Sequence, residues 1–322
     1  MLISVLLFAF GLVLLIKGGD WFVDGATGIA KRFNLPDIVV GATVVSIGTT
    51  LPEVMVSTTG ALLGQGAMAY GNAIGSIICN TSLIAAISVA FNPGPVNTKS
   101  MKMPVIFFFT SAAIYCFAAY ITGTFTRPLG LIMLALFVVY MILTVRQGMK
   151  NPDSLPEEEE EESKPRQLWQ ELALLVVGAA LIAWGADLLV EHGTIIAKTL
   201  GVPETVIALT FVALGTSLPE LVTTITSLRK GHAHLGIGNV IGANVFNLVL
   251  VSGVSVTLAP FDVPEGKMLF GRNASLVMDI PLMLIVMVLL CIPALATKKL
   301  QRWQGILLLG IYAAFCLFQF MS

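Results

Sequence analysis

The sequence predicts an all-α integral membrane protein of ten transmembrane helices, arranged as two inverted five-helix repeats. Three observations lead there. Of 322 residues, 56% are hydrophobic and only 11% are charged, with a mean hydropathy of +0.90, whereas about a quarter of a soluble domain's residues carry charge. Apolar stretches of membrane-spanning length recur ten times. A shift of 167 positions then lays residues 11–80 over 178–247 without a gap, at 25 identities in 70.

At about 20 residues per span, ten helices leave only short loops, so a large extramembrane enzyme domain is excluded and no enzymatic activity is expected. The net charge of −1 argues against a nucleic-acid partner. Cys79, Cys116, Cys291 and Cys316 lie inside apolar runs without paired spacing and read as small hydrophobes. The first run, Leu2 to Ile16, has no basic residue before it and no small-residue cleavage site after it. It is therefore expected to be the first span rather than a removed signal peptide.

The apolar stretches place helices at about 2–25, 37–63, 67–91, 103–122, 128–147, 169–191, 203–228, 235–259, 273–293 and 303–321. Residues 1–150 form the first five-helix repeat and 167–322 the second. Between them, 151–166 holds Pro152, Pro156, Pro165 and six glutamates from Glu157 to Glu162, a composition that neither enters a bilayer nor packs a core, and so a solvated linker. Assigning loops alternately to two sides puts thirteen Lys and Arg on the linker's side and four on the other. By the positive-inside rule the linker is cytoplasmic and the N-terminus outside. Because each half has an odd number of helices, the two copies stand upside down relative to each other, the plan of secondary transporters with a midplane site at the repeat interface.

In the second helix the run is Ser46-Ile47-Gly48-Thr49-Thr50-Leu51-Pro52-Glu53, and in the seventh Ala213-Leu214-Gly215-Thr216-Ser217-Leu218-Pro219-Glu220. Each places a carboxylate near mid-span, where an ionisable group is costly and function is the default reading. Proline lacks the N–H that would bond the carbonyl four residues earlier, so Pro52 and Pro219 are expected to free the Gly48 and Gly215 carbonyls and to loosen those of Ser46 and Ala213. In the third helix Asn72, Ser76 and Asn80 recur every fourth residue and form one polar stripe; the eighth carries Asn239 and Asn247 at the equivalent places. Asn72 and Asn239 serve either as ligands or as interhelical glue, and Asn80 and Asn247 are the better ligand candidates.

The centre thus offers carboxylates, hydroxyls, carboxamides and backbone carbonyls but no thiolate or imidazole. An all-oxygen set suits hard cations such as calcium, while transition metals prefer nitrogen and sulfur. His192, His232 and His234 read as solvated. Asp20, Asp24, Asp187 and Glu191 are expected near helix ends, with Lys17 as a local partner for Asp20. A protease would need a zinc motif or a paired Ser and His, and neither is present.

The duplicated GT[ST]LPE segments, each followed by a G[SA]xxxN segment, resemble the repeats of the sodium/calcium exchanger family, within the calcium/cation antiporter superfamily. The resemblance implies exchange of Ca²⁺ for Na⁺ by alternating access, with helices 1 and 6 sliding across a core of helices 2, 3, 7 and 8. It further implies that Glu53 and Glu220 coordinate both ions, with hydroxyls from Thr49, Thr50, Ser76, Thr216 and Ser217, backbone oxygens from Ser46 and Ala213, and Asn80 and Asn247 lining the centre. The transported ions are substrates, and no cofactor is expected. Some relatives carry Ser at the position of Ala243 and Asp at that of Asn247. Two carboxylates neutralise one Ca²⁺, whereas three Na⁺ would overbalance them. Proton-coupled and potassium-coupled calcium exchange, and a cation channel, stand as alternatives at this level.

Overall fold

A computed structural model describes residues 2–150, 166–199, 215–264, 268–269 and 271–321. They form ten helical segments: α1 Leu2–Arg32, α2 Asp37–Leu62, α3 Gly66–Phe91, α4 Thr98–Thr122, α5 Arg127–Lys150, α6 Leu168–Thr199, α7 Leu218–Arg229, α8 Ala233–Leu258, α9 Ser275–Thr297 and α10 Arg302–Met321. Among the described residues, eight helices are long and apolar enough to cross a membrane. Residues 151–165 of the expected linker, and 200–214 at the start of the expected seventh span, lie outside the described residues.

The antiparallel pairing of α1 with α6 displays the inversion. A methyl group at Gly18 would fall 2.9 Å from the Gly178 carbonyl oxygen, and one at Gly11 3.0 Å from that of Gly185. Under the 167-position shift Gly11 corresponds to Gly178, and Gly18 to Gly185. Each glycine therefore meets the counterpart of its neighbour, the self-complementary contact that a two-fold axis produces. The axis crosses the pair near Leu15 and its counterpart Ile182, both buried. Backbones can approach this closely only where side chains are missing.

Helix α8 is enclosed by α2, α3, α4 and α7, and every residue from Leu235 to Val249 is buried. Helices α5 and α6 instead expose apolar side chains such as Leu131, Ile132, Val138, Leu172 and Val176, as a lipid-facing surface requires. Two short antiparallel pairings tie the repeats together. Strand β1 (Gly94–Pro95) pairs with β6 (Lys299–Leu300), and β2 (Thr124–Phe125) with β3 (Phe261–Asp262). Each joins loops that the alternation of spans places on the same side. A local hairpin, β4 (Met268–Leu269) with β5 (Arg272–Asn273), precedes α9.

Several expectations are corrected. Helix α2 runs through Pro52 without a break; the irregularity lies earlier, in a π-helical turn over Gly41–Val45. Wide turns of this kind also interrupt α3 at Asn80–Ala85 and α8 at Asn247–Val251, two segments that the repeat shift superposes. Helix α1 extends beyond residue 25 to Arg32, so Asp20 and Asp24 lie within it rather than near its end. Their cation is Lys230, whose Nζ donates to Asp24 Oδ1 at 2.7 Å and to the Asp20 carbonyl at 2.9 Å, while Lys17 is exposed. His192 is buried rather than solvated, and His232 sits 2.8 Å from Asp37 Oδ2; His234 is exposed as expected. The four cysteines are unbridged.

The glycine seam yields a test. A Cβ at position 178 would lie 2.5 Å from the Phe22 amide nitrogen and 2.8 Å from the Gly18 carbonyl oxygen. Gly178→Leu is expected to destabilise the fold by at least about 1–3 kcal/mol through overpacking, while Leu131→Ala on the lipid-facing side of α5 leaves stability nearly unchanged. Thermal unfolding of both purified variants in detergent checks the difference.

Candidate ion-binding site

Glu53 lies in mid-helix on α2, and Glu220 lies in the first turn of α7. A helix start favours a carboxylate, because unpaired N–H groups point toward it. Both glutamates have zero solvent exposure. Each lies within electrostatic reach of the other, and Glu220 sits beside the Thr49 and Thr50 hydroxyls. Yet none of the four carboxylate oxygens has a protein hydrogen-bond partner of good geometry.

Among the described residues no basic side chain pairs with either glutamate. Residues 37–91, 200–228 and 235–264 contain no Lys, Arg or His. Burying an uncompensated carboxylate costs several kcal/mol even after relaxation, so two together require positive charge from outside the chain.

Thr50, Asn80, Ser217 and Asn247 are among the other residues with buried polar atoms that lack protein partners. These residues are 0 to 2% exposed. The turn starting at Asn80 packs against α7, and the turn starting at Asn247 packs against α2. Each π-helical turn is thereby laid against the glutamate helix of the opposite repeat. Thr50 Oγ1, Asn80 Oδ1, Ser217 Oγ, Asn247 Oδ1 and the carboxylate oxygens make eight side-chain oxygens without protein donors, within the range of coordination numbers calcium adopts.

The remaining expected ligands divide differently. Ser46 Oγ donates to the Gly41 carbonyl at 2.8 Å and to the Asn239 carbonyl at 2.9 Å. Thr49 Oγ1 donates to Asn239 Oδ1 at 3.1 Å, and Thr216 Oγ1 to Asn72 Oδ1 at 3.3 Å. Those last two bonds are repeat equivalents, so Asn72 and Asn239 join α3 to α7 and α8 to α2, respectively: the glue reading applies to both. Asn72 Nδ2 also donates to Ser57 Oγ at 2.8 Å, and Asn239 Nδ2 to Thr223 Oγ1 at 2.9 Å. Ser76 is buried on α3. The Gly215 carbonyl, expected to be freed by Pro219, accepts from the Leu218 N–H at 3.3 Å. Ala213 lies outside the described residues.

One pair escaped the sequence reading. Asn244 Nδ2 donates to Thr81 Oγ1 at 2.7 Å and to Met287 Sδ at 3.2 Å, fixing α3 and α8 beside the Asn80 and Asn247 turns. The available signal was a polar residue inside an apolar run, but Asn244 faces Ile77 in the repeat alignment and so drops out of any search for symmetric pairs.

An inverted repeat of apolar helices around buried oxygens without protein partners is the plan of a membrane transporter. The chain belongs to the sodium/calcium exchanger family: residues 3–146 and 171–321 match the family described as sodium/calcium exchanger protein. It is 33% identical to the inner membrane protein YrbG of Escherichia coli over 316 residues, covering 96% of this chain and 94% of that one. It is 29% identical to the sodium/calcium exchanger MaX1 of Methanosarcina acetivorans, covering 97% of each. Among solved structures, the sodium-calcium exchanger NCX_Mj soaked with Na⁺ and Sr²⁺ superposes with a TM-score of 0.80 at 31% identity, covering 97% of both chains.

The two classes of asparagine should respond differently to truncation. Asn239→Ala leaves the Thr49 hydroxyl without its acceptor and removes the amide bond to Thr223, and is expected to cost about 1–3 kcal/mol. Asn247→Ala removes no protein hydrogen bond and is expected to lower Tm by less, as thermal unfolding of both variants without added calcium would register.

Proposed function

We propose that this protein is a secondary antiporter that exchanges Ca²⁺ for Na⁺ across a cell membrane by alternating access. The observation that carries the reading is the pair of fully buried carboxylates, Glu53 and Glu220, within the stretches 37–91 and 200–228 that hold no Lys, Arg or His. Family membership makes antiport of calcium and a second cation the activity; the residues suggest how it is coupled.

Glu53 and Glu220 coordinate either ion, with Thr50, Ser217, Asn80 and Asn247 completing the shell. Ser76 and the backbone oxygens of Ser46 and Ala213 are further ligands in this reading, and the Thr49 and Thr216 hydroxyls join when they rotate from their asparagines. Ca²⁺ and Na⁺ compete for the same carboxylates, so both cannot occupy the centre together. An empty centre leaves two unneutralised charges in a low-dielectric interior and opposes the passage of the gate. Either ion relieves that cost and permits the step, which makes transport obligatory exchange rather than leak.

The α1–α6 pair supplies the moving part in this reading. Its internal seam is tight, whereas part of its attachment to the core is the Lys230 contact to Asp20 and Asp24, which is polar and can be remade. The basic-residue bias places the N-terminus outside and the 151–166 linker in the cytoplasm.

The test is ⁴⁵Ca²⁺ uptake into proteoliposomes loaded with Na⁺, K⁺ or only buffered protons. Uptake that requires internal Na⁺ is expected. Dependence on a proton or potassium gradient instead would reassign the coupling ion, and uptake indifferent to every gradient would indicate a channel. Glu53→Gln and Glu220→Gln are each expected to reduce sodium-driven uptake to background; near-normal flux in either variant would remove these carboxylates from the site.

A further inference from the structure

The linker's side of the molecule carries an ion-pair cluster that the inverted repeat does not duplicate. Lys230, at the end of α7, places Nζ 2.7 Å from Asp24 Oδ1, 3.8 Å from Asp20 Oδ1 and 2.9 Å from the Asp20 carbonyl oxygen. It thereby fastens α1 to α7, and all three side chains are partly buried. Under the 167-position shift Asp20 and Asp24 correspond to Asp187 and Glu191 on α6, but Lys230 corresponds to Leu63, just past the end of α2. The acidic pair is repeated and its cation is not. Among the described residues no Lys, Arg or His lies within ion-pair distance of Asp187 or Glu191, and Leu63 is 69% exposed.

Packing differs in the same sense. Beside the cluster, a methyl group at Gly19 would fall 2.8 Å from both Thr226 Oγ1 and Val222 Cγ1, so α1 lies directly on α7 there, and Thr226 is buried. The counterparts of Val222 and Thr226 on α2, Met55 and Thr59, are exposed. The α1–α6 pair is closed onto the core at the linker's end and, among the described residues, leaves the equivalent face of α2 uncovered at the other. Alternating access in an inverted repeat exchanges the contacts made at the two ends. Here the exchange breaks the Lys230 contacts and gains none in return, because a leucine meets the second acidic pair.

We propose that Lys230 is a positioning residue for exchange, a latch built on one side only. With Asp20 and Asp24 it stabilises the state closed at the linker's end, which is the cytoplasmic end in the proposed orientation, and the opposite closed state has no equivalent. This rests on the reading of α1 and α6 as the moving part of an antiporter. Apparent affinity at each face scales with the fraction of molecules open to that face. The latch therefore contributes directly to the ratio of cytoplasmic to extracellular half-saturating Ca²⁺.

The experiment measures sodium-dependent ⁴⁵Ca²⁺ uptake at graded Ca²⁺ in right-side-out and inside-out vesicles from cells expressing the full chain, so that each face is titrated separately. Lys230→Leu is expected to lower that ratio roughly fivefold, the size of effect that a partly exposed ion-pair cluster has, and Lys230→Arg to preserve it. Should Lys230→Leu not reach the membrane, Asp24→Asn carries the same expectation. Leu63→Lys supplies the missing cation to Asp187 and Glu191 and is expected to lower the ratio too, an effect that adding Asp187→Asn and Glu191→Gln cancels. An unchanged ratio in Lys230→Leu, or a Leu63→Lys effect that is absent or survives neutralisation of its partners, overturns the latch while leaving antiport in place. Absence of sodium-driven uptake by the unaltered chain overturns the antiport reading as well.

Discussion

Two carboxylates held in a dry interior without a basic partner are the constraint on which the rest of the structure depends. The stretches 37–91, 200–228 and 235–264 hold no Lys, Arg or His, so in the proposed reading an ion supplies the positive charge that these buried carboxylates lack. That requirement explains why polar groups that soluble proteins would satisfy internally are left without protein donors at Thr50, Asn80, Ser217 and Asn247. It also explains why the neighbouring polar groups are satisfied. Ser46, Thr49, Thr216, Asn72 and Asn239 form a scaffold of hydrogen bonds between α2 and α8, between α2 and α3, and between α3 and the turn that leads into α7, beside the unpartnered groups.

The inverted repeat gives that scaffold its geometry. Within α1 and α6, glycines exchange contacts about a local two-fold axis, and the same operation relates the π-helical turns that begin at Asn80 and Asn247. A π-helical turn inserts one residue into the helix and leaves a local gap in the regular bonding pattern. One such turn begins at each central asparagine and is packed against the glutamate helix of the other repeat. Local irregularity of this kind is tolerated at membrane depth because the turns are buried in protein rather than lipid.

Much of this architecture is legible from residues alone. Polar residues in apolar helices are costly and therefore conspicuous, and the duplication of Glu53, Asn80 and Thr50 at Glu220, Asn247 and Ser217 separates them from isolated accidents. The same reliance on symmetry hid Asn244, whose partner Thr81 lies 163 positions away. Proline was a weaker guide: α2 accommodates Pro52, with the distortion displaced to Gly41–Val45. His192 and the Asp20–Lys230 contact were misread because their environment is made by other helices.

By itself, the sequence determined the membrane class, the span pattern, the repeat and the identity of the central polar residues, since each follows from transfer cost or from comparison of the chain with itself. Only the tertiary structure decided which hydroxyls are engaged and which are left free, because Ser46 and Thr49 find their partner Asn239 about 190 positions away. Hydrogen bonding depends on approach within a few tenths of an ångström, and that distance is set by how the backbones of α2 and α8 pack, with Gly238 and Gly242 against Ile38 and Ala42. Composition identifies the groups that can bind an ion; packing determines which of them remain available to do so.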